Sequence, residues 1–371
     1  MNSPSVIVVG AGIVGCTVAY QLARSGAHVQ VIETRQPGQG ATRASAGILA
    51  PYIEGHGSAA LRSLGRRSLD LYDGFIERLR TDSGHDVIYR RNGTFELAFD
   101  AADVDRLSAL SAALGKEGVE ARWVPAMAFA DHEPLVSSAA LGALLISTHG
   151  FVGVTSVTLA AVAAAETLGA RFKTETGAIR IFSMPAGRVG VEAGGATWDA
   201  DRVVLAAGSW SSQISVEGAE IVPVKPIRGQ LIQLQAEPGA LQRVIWGPGG
   251  YLVPWPDGSV LVGSTVEDVG FDERHTEEGV RSLRAVASSL VPSLADAPMT
   301  SVRTGLRPRG PDDLPILGRS SVVPGLIYAT AHYRNGVMLT PLTAQLVDDL
   351  VFDRASDPAL HDLNPGRHGR L

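Results

Sequence analysis

The alternation of apolar and polar residues at the start of the chain predicts a β-α-β unit. Ser5–Val9 is a run of mostly β-branched residues, typical of a buried strand. Over residues 13–25 the apolar positions recur at helical spacing, and Gly26 is a suitable C-cap. Residues 28–33 form a second strand-like run. This order of elements is typical of the beginning of a parallel nucleotide-binding sheet.

Further along, helical and strand-like patterns alternate. Helical spacing is found in three segments: residues 61–79, 104–114 and 159–168. Two segments have the character of strands: residues 94–99 and Arg202–Leu205. The end of the chain predicts a strand at 325–329 and a helix at 337–351, followed after Pro358 by a polar tail that we expect to be mobile.

The region from 223 to 265 is rich in strand and turn signals, and we assign it to a substrate domain. Its predicted strands are residues 230–235, 251–254 and 260–263. Asp257 and Gly258 lie between the last two and indicate a hairpin turn.

Composition excludes several classes of function. The 371 residues suggest about two domains, and a net charge of −6 without a long basic run argues against a nucleic-acid partner. The single cysteine, Cys16, excludes an intrachain disulfide and a cysteine-cluster metal site, and we expect no bound metal. No apolar run is long enough to span a membrane. We therefore expect a cytoplasmic protein.

Glycines follow the first strand in the spacing of a dinucleotide-binding turn. The pattern G-x-G-x-x-G consists of Gly10, Ala11, Gly12, Ile13, Val14 and Gly15. The first glycine permits the tight turn, the second lets the backbone approach a pyrophosphate, and the third allows close helix–strand packing. The helix N-terminus then offers N–H donors to the phosphates. Glu33, about twenty residues further on, is placed as an acid that binds ribose hydroxyls.

Both NAD and FAD use this fingerprint, and the residues after Glu33 favour FAD. Arg35 could serve a 2′-phosphate, but beside Glu33 we interpret it as a surface residue. A loop of small residues at 40–49 lets backbone atoms and hydroxyls approach a second part of a cofactor closely. A nicotinamide dehydrogenase would normally continue directly into further β-α units instead.

With these features the chain resembles the D-amino-acid oxidase-type flavoproteins, most closely their glycine oxidase branch. The resemblance extends in order over nearly the whole sequence. Besides the glycine turn and Glu33, it is carried by A-T-R-A-S-A-G-I-L at 41–49, A-A-G-S-W at 206–210, G-L-R-P at 305–308 and H-Y-R-N-G at 332–336.

The resemblance implies an α/β fold, α+β overall, in which a Rossmann-type FAD-binding domain is interleaved with an antiparallel β-sheet substrate domain. The FAD-binding domain would comprise residues 1–86, 150–215 and 302–360. The substrate domain would comprise residues 87–149 and 216–301, which leaves 361–371 as a polar C-terminal tail. The flavin would lie between the two domains.

The same resemblance indicates which residues would contact noncovalent FAD. The small-residue loop would contribute Thr42, Arg43, Ala44, Ser45, Ala46, Gly47 and Leu49. Ala178 would lie near adenine, and the site would also include Ala207, Gly208 and Trp210. Beside the flavin ring, with the N-terminus of the last helix directed at its pyrimidine edge, would lie Arg334, Asn335, Gly336, Val337, Met338 and Leu339.

An amino-acid substrate needs its carboxylate held, and the planar fork of arginine suits that task. The resemblance assigns this role to Arg307, with the hydroxyl of Tyr251 as a second contact and Arg334 as a third candidate. Alternatives stay open. Arg307 could form a structural ion pair with Asp312 or Asp313, Tyr251 could be an ordinary sheet aromatic, and Arg334 could serve the flavin alone.

Three other residues invite a chemical role. We interpret His332 as structural, because the flavin performs the difficult step. Cys16 opens the first helix, where a thiolate could be stabilised, but we expect a small packed side chain. Val266 would face the substrate, and because the sarcosine oxidase branch has a lysine in this region, the valine argues mildly against that branch.

The resemblance implies oxidation of glycine, sarcosine or small D-amino acids to the imine and 2-oxo acid, with O₂ reduced to H₂O₂, in thiazole synthesis for thiamine. The partners would be a small amino acid and O₂, and a homo-oligomer is expected by analogy alone. Two alternatives stay open. One is a dehydrogenase of the same fold that passes electrons to a carrier, and the other is a domain that contains flavin but acts only in assembly or binding. Arg307 and Tyr251 argue against such a domain, which has no need of a carboxylate clamp.

We predict that FAD is bound without a covalent link. Some relatives tether the flavin through a late cysteine or through a histidine in the small-residue loop, whereas here the sole cysteine is Cys16 and the loop has Arg43 and Ser45. The purified protein should be yellow, and acid or heat should release its flavin as free FAD, measured by absorbance of the supernatant. Flavin that stays on the precipitated chain would contradict this prediction.

Overall fold

The computed structural model describes residues 3–54 and 58–371, and a mostly parallel sheet lies at its centre. The order of neighbouring strands is Ile316–Arg319, Leu326–Thr330, Arg202–Leu205, Ser5–Val9, His28–Ile32 and Arg171–Lys173. The first pair is antiparallel and the other neighbours are parallel. The predicted β-α-β opening is confirmed, with the helix at Ile13–Arg24 between its two strands.

The central strand is buried on both faces because its apolar residues alternate between two cores. Val6 and Val8 belong to a core shared with helices, whereas Ile7 and Val9 belong to a core on the opposite face. The helices that share the core with Val6 and Val8 are Ile13–Arg24, Ala59–Ser83, Val154–Thr167 and Thr340–Val351. The opposite face is covered by a small sheet of strands Ala196–Ala200, Val189–Ala193, Ile179–Ser183 and Ser215–Val216.

A large, mostly antiparallel sheet forms the second layer of the molecule. Its strand order in the described chain is Met299–Arg309, Lys225–Gln235, Ser259–Gly263, Gly250–Pro254, Val244–Gly247, Thr94–Ala98, Gly142–Ile146 and Ala121–Pro125. The hairpin predicted at Asp257 and Gly258 is confirmed, because Pro254 pairs with Val260. The predicted fold class is therefore observed, with a Rossmann-type sheet beside an antiparallel one.

One helix of this layer, Glu277–Leu290, has no counterpart in the sequence prediction. Its N-cap is Thr276, whose hydroxyl accepts a hydrogen bond from the Gly279 N–H at 3.1 Å. Leu283 and Leu290 bury its apolar side against the large sheet. The cap and the acidic first turn were readable signals for this helix.

The remaining elements are short or peripheral. They comprise helices Pro51–Glu54, Ala101–Lys116, Ala126–Ala130 and Ala359–Leu363, and a small sheet of strands Ile48–Leu49, Gly150–Val152 and Tyr89–Arg90. Among the described residues, no helix combines the length and apolar character needed to cross a membrane.

Two observations differ from the expected organisation. The predicted domain boundary at 302 lies inside the strand Met299–Arg309, so the division into domains stays a prediction. The C-terminal tail is packed and not mobile, because Leu363 and Leu371 are buried in the cores. Arg367 also donates to Asp312 at 2.8 Å, which ties the tail to the body of the protein.

Candidate active site

A cavity of about 450 Å³ opens at the carboxyl edge of the parallel sheet. Gly10, Glu33, Ala206 and His332, each just beyond the end of a parallel strand, form one wall. The large sheet contributes the other wall: Gly229, Tyr251, Ser264 and the segment 305–308. Ligands of open α/β sheets bind in the crevice outside the carboxyl ends of the strands, so this cavity is the candidate active site.

Most of the residues predicted to bind FAD or substrate line this cavity. They are Gly10, Gly12, Ile13, Val14, Glu33, Thr42, Ala44, Ser45, Ala46, Gly47, Ala178, Ala207, Gly208, Trp210, Tyr251, Arg307, Arg334, Asn335, Gly336, Val337 and Met338. Five others lie outside the wall: Ala11, Gly15, Arg43, Leu49 and Leu339. Arg43 is exposed and the other four are buried behind the wall, and their contribution to binding stays a prediction.

The glycine turn has the geometry that a close approach of a cofactor requires. Gly10 has φ 105°, and a Cβ there would lie 2.6 Å from the carbonyl oxygen of Ala206. At Gly15 a Cβ would overlap the carbonyl oxygen of Gly10. The helix begins at Ile13 after Gly12, which carries no capping side chain, and the Ile13 N–H donates to the Thr42 hydroxyl at 3.0 Å. This cradle fits a pyrophosphate.

The carboxylate of Glu33 is fixed at the end of the second strand. One oxygen accepts a hydrogen bond from the Ala11 N–H at 2.6 Å. The other accepts from the Arg35 N–H at 2.8 Å and from the Thr34 hydroxyl at 3.2 Å. A direct hydrogen bond therefore joins the glycine turn to the acid.

Arg35 is more than the surface residue that the sequence suggested. Its guanidinium binds both carboxylate oxygens of Glu273, at 3.1 and 2.7 Å. It also lies over the ring of Trp210, 4.4 Å from the ring centre. The cation joins the loop after Glu33 to the segment between the strand Ser259–Gly263 and the helix Glu277–Leu290.

Arg307 lies on the edge strand of the large sheet, and its guanidinium is held by neutral acceptors. One nitrogen donates to the Ser264 hydroxyl at 2.8 Å, and the other donates to the carbonyl oxygen of Thr265 at 3.0 Å. The acids that follow, which were the alternative partners, are bound by other arginines. Asp312 accepts from Arg367 and Asp313 from Arg309, each at 2.8 Å.

Tyr251 and Arg307 line the same cavity, and the turn at residues 263–264 contacts both side chains. Its ring packs over Gly263, where a Cβ would lie 2.5 Å from the phenol oxygen, and Ser264 follows directly. The ring centre is also 4.8 Å from that of Trp246. Arg334 lines the same cavity from the segment after the parallel strand Leu326–Thr330. The three residues predicted to hold the substrate are therefore brought to one cavity.

His332 and Cys16 are both packed. His332 is 2% exposed, its Nε2 lies 3.0 Å from the Thr343 hydroxyl, and burial lowers its pKa to about 4. Its imidazole is therefore neutral near pH 7. Cys16 is fully buried, its thiol donates to the carbonyl oxygen of Ala11 at 3.3 Å, and burial followed by the charge of Glu33 raises its pKa.

The sequence prediction placed Val266 at the substrate and did not single out Ser264 or Gly229. In the structure Ser264 lines the cavity, whereas Val266 is 55% exposed and borders a separate cavity. Gly229 lies under the guanidinium of Arg307, where any Cβ would overlap it. A glycine inside a strand pattern marks such a close approach, so this signal was present in the sequence.

The glycine turn, the strand-end acid and the facing antiparallel sheet define a dinucleotide-binding oxidoreductase. The chain belongs to the DAO family of FAD dependent oxidoreductases, and the family model matches residues 5–350. FAD is accordingly its cofactor, and the residues of the cradle fit it.

Known proteins are similar to this one over nearly the whole chain. A glycine oxidase of Pseudomonas aeruginosa is 33% identical over 368 residues, which cover 96% of this chain and 98% of that one. The bifunctional protein ThiO/ThiG of Nostoc sp. is 32% identical over 98% of this chain, which spans only 55% of that relative. The crystal structure of glycine oxidase from Geobacillus kaustophilus has a TM-score of 0.93 at 30% identity and covers 99% of this chain and 100% of that one.

We predict that Glu33→Ala weakens FAD binding and leaves the fold largely intact. A charged acceptor bonded to ribose hydroxyls contributes about 1.5–3 kcal/mol, so the Kd measured by titrating the apoprotein with FAD should rise by about ten- to a hundredfold. Glu192→Ala, an exposed carboxylate on the small sheet, is the control and should leave the Kd unchanged. An unaltered Kd in Glu33→Ala would show that this carboxylate does not bind the ribose.

Proposed function

We propose that the protein oxidises glycine and other small amines, among them sarcosine and small D-amino acids. The product is the imine, which water hydrolyses to the 2-oxo acid and the free amine, and O₂ is reduced to H₂O₂. FAD supplies the hydride acceptor when bound. The chain's own residues bind the substrate, orient it and exclude water.

The observation that carries this proposal is the position of Arg307. Its guanidinium lines the cavity that also contains the glycine turn, and its contacts with Ser264 and Thr265 leave the planar fork in a defined orientation. A fixed guanidinium binds a carboxylate with two parallel hydrogen bonds. The hydroxyl of Tyr251, which lines the same wall, would donate a further hydrogen bond to that carboxylate.

Two other residues of the cavity wall would support this reaction. Arg334 lies next to Asn335 on the opposite wall, where a cation would stabilise negative charge on either the carboxylate or the cofactor. His332 is buried against Thr343 and serves to hold the segment in place. A neutral amine can deliver hydride directly, so no side chain is required as a base.

The relatives support glycine as the first substrate to test. Two of the similar proteins are named glycine oxidases, and a third joins a ThiO part to a ThiG part in one chain. We propose that the imine made here enters thiazole synthesis for thiamine. The chain spans about half the length of the bifunctional relative.

The second candidate function differs only in the electron acceptor. A dehydrogenase of the same fold would oxidise the same amines and pass electrons to a carrier. The deciding experiment follows H₂O₂ under air with glycine, sarcosine, D-alanine, D-proline and L-proline. Rapid peroxide formation with glycine supports the oxidase. Flavin reduction without peroxide supports the dehydrogenase, and absence of reduction by every amine would refute both.

We predict that Arg307→Ala retains FAD but loses most of its reaction with glycine. Glycine has little apolar surface, so its carboxylate must supply most of the binding energy. Loss of one partner of a desolvated charge pair costs about 3–5 kcal/mol. An energy of this size corresponds to a fall in kcat/KM of roughly a hundredfold to a thousandfold or more. The measurement is anaerobic flavin reduction, monitored by loss of yellow absorbance.

Two further substitutions test how much each contact contributes to binding of the substrate carboxylate. Tyr251→Phe removes one hydrogen bond and should cost about 1–2 kcal/mol. Arg307→Lys should restore activity only in part, because an ammonium cannot reproduce the bidentate fork. A wild-type reduction rate and half-saturation in Arg307→Ala would exclude this residue as the carboxylate clamp.

A further inference from the structure

Behind the cavity wall, an ion pair joins the strand Lys225–Gln235 of the large sheet to Glu267, in the segment that follows the strand Ser259–Gly263. Arg228 also lies 3.2 Å from the Asp272 carboxylate. Arg228 is 4% exposed, and its Nε donates to Glu267 Oε2 at 3.1 Å. Its Nη2 donates a second hydrogen bond to the same oxygen. The two backbones are also paired, with the Arg228 N–H donating to the Glu267 carbonyl oxygen at 2.8 Å and the reverse bond at 3.0 Å. Side chains and backbones therefore fix one segment against the other.

The second oxygen of Glu267 fixes the turn that begins at Ser264. It accepts hydrogen bonds from the Thr265 hydroxyl at 2.5 Å and from Gln230 Nε2 at 2.7 Å. The Gln230 N–H in turn donates to the Thr265 hydroxyl at 2.8 Å, and the Gln230 side chain is fully buried. The carboxylate is thus the acceptor at the centre of this network.

The same two segments provide the acceptors that hold Arg307. They are the Ser264 hydroxyl at 2.8 Å, the Thr265 carbonyl oxygen at 3.0 Å and the Arg228 carbonyl oxygen at 3.4 Å. Gly229, between Arg228 and Gln230, gives the guanidinium room to lie against the backbone. A shift of either segment would therefore rotate the guanidinium.

We propose that Arg228 and Glu267 are a positioning pair that directs the guanidinium of Arg307 at the substrate carboxylate. This inference rests on the proposed function. Neither residue of the pair lines the active-site cavity, so the pair acts through Arg307. Recognition by a planar fork depends on its orientation, and groups behind a binding residue set that orientation. The Glu267 carboxylate is partly exposed, and an ion pair of this kind contributes little net stability by itself, so we assign the pair a positioning role.

The test uses Glu267→Gln in the holoenzyme and two readouts. Glycolate, which has the carboxylate of glycine but no amine, is titrated against the flavin absorbance to give a Kd. Glycine is then used to measure the second-order rate constant of anaerobic flavin reduction. We expect the Kd to rise and the rate constant to fall, each by about tenfold, because loss of a supporting hydrogen-bond partner typically has effects of this size. FAD should be retained.

A double-mutant cycle distinguishes positioning from a general structural role. In the Arg307→Ala background, Glu267→Gln should leave the rate constant unchanged, because the group that it positions is gone. The matched control is Glu133→Gln, which alters another buried glutamate, 1% exposed and 3.5 Å from Arg243. Its hydrogen bonds are to the backbone of Gln242, away from the cavity wall, so the glycolate Kd should stay at the wild-type value.

Three outcomes would overturn the proposal: an unchanged glycolate Kd in Glu267→Gln, an equal loss with and without Arg307, or an equal loss in Glu133→Gln. If Glu267→Gln fails to fold, Thr265→Val decides, because it removes the hydroxyl between Glu267 and Gln230 but keeps the carbonyl that holds Arg307. An unchanged Kd in that variant likewise overturns it. If no amine reduces the wild-type flavin, the proposed function fails, and the glycolate Kd alone decides on the pair.

Discussion

Gly305 lets the edge strand of the large sheet come into contact with the small-residue loop of the nucleotide-binding layer. A Cβ at this position would lie 2.8 Å from the Cβ of Ala44 and 3.0 Å from the Cα of Ala41, so no larger residue fits. The Ser209 hydroxyl adds a hydrogen bond of 2.8 Å to the next carbonyl oxygen of that strand. Because Arg307 follows two residues later, this close approach places it in a cavity built from both layers.

The two ends of the cavity have opposite chemistry. Glu33 and the glycine turn line the cavity with a carboxylate and backbone donors that fit a dinucleotide, whereas Arg307 and Tyr251 line it with donors that we propose bind the substrate carboxylate. The chain's part in the reaction is therefore mainly to position two partners against each other, which reduces the entropic barrier to their reaction. His332 contributes to the packing of the cavity wall and not to the charge of the site, because its burial lowers its pKa to about 4 and keeps the imidazole neutral.

The features that could be predicted from the sequence are those set by near neighbours in the chain. The β-α-β opening and Glu33 follow from local periodicity and spacing, and the structure has them where they were expected. Pairings between distant segments carry no local signal. Arg35 binds Glu273, 238 residues away, and Arg307 lies in register with Ile227, so neither the ion pair nor the clamp's supporting acceptors could be derived from spacing. The family resemblance identified Arg307, but only the fold shows what holds it.

We propose that one cavity holds FAD and a small carboxylate in fixed relative positions. A crystal structure of the protein with FAD and glycolate tests it most directly. We expect glycolate to bind with its carboxylate within hydrogen-bond distance of the Arg307 guanidinium and the Tyr251 hydroxyl, and with its α-carbon facing the flavin ring. Glycolate bound elsewhere in the cavity, or with its carboxylate turned away from Arg307, would contradict it.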